Sequence, residues 1–229
     1  TVTIDGGHVV RNVYGGGAMG SVTGGTTVNI SGKSVIGADG SGGGYVYAAS
    51  RGYDDMEAGS ATVGSTTLNI SGGTIWQSAF GGGQLGTVKG SVAGNVSGGV
   101  VKNDVYGGGA LANTNTDNWT LGALTPTYIN ITDVLTIGTS PVVGLYTKSG
   151  DVYTEITDPD AKAATSTIYY EKRMLPGTWA EGKSSTSNTT SVILTGGVMG
   201  NVYGGGLGDD TTPGYAFGDV QVIINQPDD

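Results

Sequence analysis

At 229 residues with 45 glycines, six prolines and no cysteine, the chain is long enough for one elongated domain. It carries neither the Gly-X-Y period of collagen nor any thiol for a disulfide or thiolate metal site. Nineteen acidic against ten basic residues leave a formal charge of −9, which argues against nucleic acid as a partner, because such binders need a basic face to displace counterions. No apolar run approaches the ~20 residues of a membrane-spanning helix. No signal peptide or leading methionine precedes Thr1, so the chain reads as a mature fragment or a domain excised from a longer protein.

The first element is Val2-Thr3-Ile4-Asp5-Gly6-Gly7, followed by Val13-Tyr14-Gly15-Gly16-Gly17. The same line occurs seven times if the apolar residue two places before the glycines is taken as anchor: Ile4, Ile30, Ile70, Val96, Ile131 (with Asp133 where glycine is expected), Leu194 and Ile224 (with Gln226 there), spaced 26, 40, 26, 35, 63 and 30 residues apart. Two positions before each anchor stands another apolar residue (Val2, Val28, Leu68, Ile129, Val192, Val222), with Gly94 the one lapse. Spacing of two puts both on one face of a strand and turns the residue between them, Asn29, Asn69, Asn95 and Asn130 among them, to the other face. A second short strand is marked by Val13, Ala79, Val105 and Val202, each followed by an aromatic and three glycines. A third is marked by Val22 and Val88, each within Gly-Ser/Thr-Val-Thr/Lys-Gly.

Three short strands with glycine corners in about 26 residues describe one coil of a parallel β-helix. A single coil cannot bury its inward side chains, but stacked coils set like on like at the ~4.8 Å strand spacing. A propeller blade, at ~40–45 residues, is too long for the shortest interval. Between the coils fall insertions at residues 37–64 and 110–126, and the largest departure from the repeat lies at 139–190. There Asp151–Thr157 and Thr165–Glu171 alternate like two arms of a hairpin about Asp158-Pro159-Asp160.

The combination of Asn-Val-Tyr-Gly-Gly-Gly at 12–17 with Thr-Thr-Val-Asn-Ile-Ser-Gly at 26–32, and its counterpart at 66–83, resembles the glycine-rich repeats of large adhesin-like surface proteins of gut Bacteroidetes and Firmicutes. The resemblance covers about two thirds of the chain and excludes 139–190. It implies a right-handed β-helix and an extracellular, cell-surface module of a longer protein; with the seven anchors, the expectation is an all-β, right-handed parallel β-helix of about seven coils, one domain over 1–229 with a hairpin-like insertion at 139–190. It brings no catalytic residues with it.

Candidate chemistry is sparse. Tyr14, Phe80, Tyr106 and Tyr203 should stack as a ladder, either as a sugar platform or as a structural stack covering glycine corners, and the latter is favoured because Phe80 has no polar tip. Trp76, at the position held by Val10, Lys102 and Met199, and Trp119, Trp179 and Tyr169 in the insertions are the candidate ligand-binding residues, with glycans or host surface proteins as partners. Asn-X-Ser/Thr occurs at Asn29, Asn69, Asn95, Asn118, Asn130 and Asn188, but the repeat itself generates four of these, and amides stacked from coil to coil explain them better than glycosylation. The acidic groups Asp54/Asp55/Glu57, Asp158/Asp160 and Asp209/Asp210, and the bases Arg11, Arg51, Lys102 and Arg173 with Asp104, are what a β-helix polysaccharide lyase or glycosidase would draw on. They form no recurring cluster, and His8 is the only histidine. No metal or cofactor is expected. The sequence therefore points to a non-catalytic structural or adhesin-like module with carbohydrate as candidate ligand. A β-helix carbohydrate-active enzyme is the alternative.

Overall fold

The computed structural model describes residues 1–53, 61–121, 125–175, 179–181, 188–210 and 212–225. The protein is all-β: the helical residues described are the short 3-10 turns Thr116–Asn118 and Thr132–Val134. It divides into two compact units, one formed by Thr1–Thr120 with Glu181–Asp229 and the other by Leu121–Ala180.

In the first unit six strands pair in parallel and in sequence order: Val2–Ile4, Thr26–Ile30, Thr66–Ile75, Val92–Val101, Thr189–Val198 and Asp219–Ile224. The register sets repeat on repeat, Val2 against Val28 against Leu68 and Ile4 against Ile30 against Ile70. Alternation decides what faces in. In Thr66–Ile75 the side chains of Thr66, Leu68, Ile70 and Ile75 are buried, while Asn69 is half-exposed. Asn69 Nδ2 donates to Asn29 Oδ1 (2.8 Å) and Asn95 Nδ2 to Asn69 Oδ1 (2.9 Å), so each amide satisfies that of the neighbouring strand. Asn29 Nδ2 ends the series on Thr3 Oγ1 (3.1 Å). The Gly72-Gly73 pair does not end this strand as a free-standing turn. It makes an irregularity within it, with Gly73 at φ +77° and its counterparts Gly99 and Gly197 also in the left-handed region.

A second parallel sheet contains Val13–Tyr14, Val46–Tyr47, Ala79–Phe80, Val105–Tyr106 and Val202–Tyr203. A third row is reduced to single parallel bridges, Val22 with Val63 and Val63 with Val88, and Thr114 with Ala216. The main core gathers the inward residues of the first two rows, Val28, Ile30, Leu68, Ile70, Ala79, Val105 and Val192 among them. Val63, Val88 and Val92 form a separate cluster with Ala49 beneath the third row.

Three expectations are corrected. Residues 37–64 are not simply an insertion: they contain Val46-Tyr47 of the second row and Val63 of the third. Ala48-Ala49-Ser50 stands there where other repeats have three glycines. Likewise Thr114, within 110–126, occupies the third row. Ile131 anchors no repeat, because Thr125–Asn130 belongs to the second unit and pairs antiparallel with Tyr170–Leu175. The parallel path therefore has six members rather than seven, and Asn130 stands outside the amide series, its Oδ1 accepting from the Thr132 N–H.

The second unit, at Leu121–Ala180, starts and ends earlier than the 139–190 departure in sequence. Its sheet runs in the order Thr125–Asn130, Tyr170–Leu175, Tyr146–Ser149, Val152–Glu155, with neighbouring strands antiparallel. The hairpin turns at Gly150-Asp151, not at Asp158-Pro159-Asp160. Gly150, at φ +59°, supplies the left-handed residue that such a tight turn needs. Tyr169, Val142 and Ala163 form a separate small core.

Candidate functional site: an aromatic-floored groove

In the second row the first residue of each strand points into the core and the second points away from it. Tyr14, Tyr47, Phe80, Tyr106 and Tyr203 consequently form one continuous stack outside the main core. Successive ring centroids lie 5.1, 5.0, 4.8 and 4.8 Å apart, with interplanar angles of 7°, 11°, 6° and 13°. The spacing is that of the strands beneath, ~4.8 Å, so the backbone register itself imposes the stack. Sequence reading left open whether this ladder faces in or out. It faces away from the core yet is covered in its middle, where Phe80 is 1% exposed, while Tyr203 at its end is 44% exposed.

Tyr45 supplies part of the cover. Its ring lies 6.0 Å from Tyr47 and 6.5 Å from Phe80. Beside it opens a cavity of about 380 Å³ with Tyr45, Tyr47 and Phe80 on its floor and Asn12, Gln84 and Asp209 contributing polar groups. These polar groups are held in place. Asn12 Oδ1 accepts from the N–H groups of Gly44 (3.0 Å) and Tyr45 (3.1 Å), and its Nδ2 donates to the Tyr14 hydroxyl (3.2 Å). Tyr14 in turn donates to Gln84 Oε1 (2.6 Å). With its carbonyl so engaged, the Gln84 side chain turns an amide nitrogen that has no protein partner among the described residues. Asp209 Oδ1 accepts from the Thr212 N–H (2.6 Å), fixing the carboxylate in its loop.

The floor is electrically quiet. Burial, reinforced by the neighbouring phenols of Tyr14 and Tyr45, pushes the Tyr47 phenol far above its ordinary value. Burial, then the nearby Asp104 carboxylate, pushes Tyr106 up to about 12. Chemically the groove offers neutral aromatic faces flanked by an amide donor and a carboxylate acceptor. That combination suits a ligand with one apolar face and polar edges.

Of the ligand-binding residues expected from sequence, Trp76, Trp119 and Tyr169 do not line this groove among the described residues. Trp76 is half-buried, with the Lys102 ammonium 5.3 Å from its ring centroid. Trp119 is half-buried and stacks on Phe217 at 4.8 Å. Tyr169 is 3% exposed and its hydroxyl accepts from the Ala164 N–H (2.8 Å), so it packs the second unit's core and offers no surface to a ligand. Trp179 lies in the strand Trp179–Glu181, but its side chain falls outside the described residues.

The catalytic candidates are dispersed as well. Asp104 accepts from the backbone N–H (2.8 Å) and side chain (2.9 Å) of Asn201 and from the Tyr106 hydroxyl (3.2 Å), which hold its carboxyl below the ordinary range and tie it to the neighbouring repeat. Arg51 lies over Tyr53 and Arg173 pairs with Glu171 at 2.7 Å. His8 is exposed, with Nε2 2.8 Å from the Gly37 carbonyl oxygen. Asp54, Asp55 and Glu57 lie outside the described residues, and among those described no three His, Cys, Asp or Glu side chains group as a metal site.

No family model, no curated protein and no solved structure matches the chain.

The groove escaped sequence reading because Tyr45 and Tyr47 were assigned to an insertion. The available signal was Val46-Tyr47, which repeats the Val-Tyr of 13–14, 105–106 and 202–203 without the glycines behind it.

Proposed function

We propose that the first unit is a right-handed parallel β-helix module of a bacterial cell-surface, adhesin-like protein, and that it binds carbohydrate in the groove beside Tyr45. The observation that carries the binding reading is the groove's composition: a floor of Tyr45, Tyr47 and Phe80 with Asn12, Gln84 and Asp209 at its edges. A pyranose has an apolar face of C–H groups and a rim of hydroxyls, so it stacks on aromatic rings while its edge bonds amides and carboxylates. Tyr45 and Gln84 are already oriented by the Asn12–Tyr14 network, which lowers the ordering cost of binding. The β-helix reading is supported by the in-order parallel pairing of the repeats. The surface location follows from the sequence resemblance alone.

The test is a glycan array followed by titration calorimetry on the hits. Tyr45→Ala and Gln84→Ala should each weaken binding by roughly tenfold or more, as loss of a stacked ring or a hydrogen bond in a desolvated site does, while circular dichroism and cooperative unfolding show that the fold is retained. Binding that survives both substitutions, or no binding to any glycan, removes the reading. New reducing or unsaturated ends during incubation would make the protein an enzyme instead.

A further inference from the structure

A second cavity of about 460 Å³, lined by Val10, Arg11, Asn12, Ser41, Gly42 and Gly43, shares Asn12 and Gly42 with the aromatic groove, so the two adjoin. It contains the one arginine whose side chain has no partner among the described residues. Of the three arginines in the chain, Arg51 donates to the Tyr53 hydroxyl (2.9 Å) and stacks on its ring. Arg173 pairs with Glu171. Arg11 is exposed, and its guanidinium makes no hydrogen bond, ion pair or ring contact among the described residues. Its backbone carbonyl, however, is held by the Gly44 N–H (3.1 Å), and a Cβ at Gly43 would come within 3.0 Å of Arg11 Cα. The base of the side chain is therefore fixed beside a loop that must stay bare. In a chain of charge −9, a cation that no described carboxylate pairs with, in a cavity adjoining an aromatic groove, is arranged for an external anion.

We infer that this cavity takes the carboxylate of a uronic acid residue, so that the ligand is an acidic glycan with one ring on the Tyr45 floor and a neighbouring carboxylate on Arg11. The planar guanidinium fork matches a carboxylate in two parallel hydrogen bonds. Such a pair favours the charged ligand by a charge-assisted contact that the neutral form cannot make. The inference rests on the groove being a carbohydrate site.

The experiment uses matched pairs in calorimetry with the full chain: tetrasaccharides of galacturonate and of glucuronate, each against its carboxyl-reduced neutral form. The expected result is about tenfold tighter binding of at least one uronate form. In Arg11→Gln that preference should vanish while affinity for the reduced form is kept, and Arg11→Lys should retain part of it. Equal affinity for uronate and reduced forms in the unaltered protein, or a preference that persists in Arg11→Gln, overturns the Arg11 assignment and leaves the groove standing. Failure of every tetrasaccharide to bind overturns this inference together with the groove reading.

Discussion

Glycine in this protein is a spatial requirement at some positions and a leftover of the repeat at others, and one column shows both. A Cβ on Gly82 would stand 2.6 Å from Gly109 N and 2.7 Å from Gly109 Cα, backbone atoms that cannot step aside. At Gly205, the same place in the last repeat, it would meet nothing within 4 Å. Neither residue has a left-handed φ, so the difference is one of space alone. Gly82→Ala should lower stability by about 2 kcal/mol, the usual scale of overpacking, and Gly205→Ala should stay within about 0.5 kcal/mol. Urea unfolding of the two variants checks this, and equal effects would mean that the neighbouring repeats do not approach as closely at Gly82 as the register requires.

At the scale of the strand, the outward amides act as a connected series, and Asn69 is its centre with one bond in each direction. Asn69→Ala removes both bonds and leaves Asn29 and Asn95 each short of a partner, at a cost of about 1–2 kcal/mol in a half-exposed setting. Asn29→Ala should cost less, because its far bond reaches only the Thr3 hydroxyl; chemical denaturation should rank the two in that order. This series was legible in the sequence, as were the inward columns, because strand alternation and like-on-like stacking write both directly into the repeat. Ile131 misled for the same reason: Tyr128-Ile129-Asn130-Ile131 alternates well, and alternation does not distinguish a parallel neighbour from the antiparallel one that Thr125–Asn130 has. The strand Val46–Tyr47 escaped the repeat because Ala48-Ala49-Ser50 replaces the glycines that mark the others. The groove lay beyond such reading altogether. Asn12, Tyr45, Gln84 and Asp209 come from four different turns of the chain, and only the stacking of those turns brings them together. The units can also be separated by their cores, since the members of the three clusters of the first unit all lie within 1–120 and 181–229. Replacing 122–178 by a short flexible linker should leave a cooperatively unfolding β protein that still binds at the groove; loss of cooperative unfolding would show that the first unit does not fold on its own.

Across the whole molecule, the ladder makes stability depend on pH at the alkaline end. Tyr106 is pushed up to about 12 and Tyr47 is raised further, both first by burial, against an ordinary phenol value of 10.0. The unfolded chain therefore sheds these protons near pH 10 while the folded chain still holds them. The stabilisation is complete below pH 10 and declines as pH rises through about 12. Deprotonation also adds negative charge to a molecule already at −9, so self-repulsion acts in the same direction. Asp104 gives the opposite edge: held below its ordinary value, first by the Asn201 backbone N–H, it contributes above the unfolded carboxyl value and loses that contribution as pH falls. Urea midpoints measured from pH 8 to 11.5 should be level at first and then fall steeply above pH 10. Tyr47→Phe should flatten that fall, and it is a cleaner probe than Tyr106→Phe, which also removes the hydroxyl that donates to Asp104. A midpoint that stays constant to pH 11.5, or an unchanged slope in Tyr47→Phe, would mean that the middle of the ladder is open to water, and the groove floor with it.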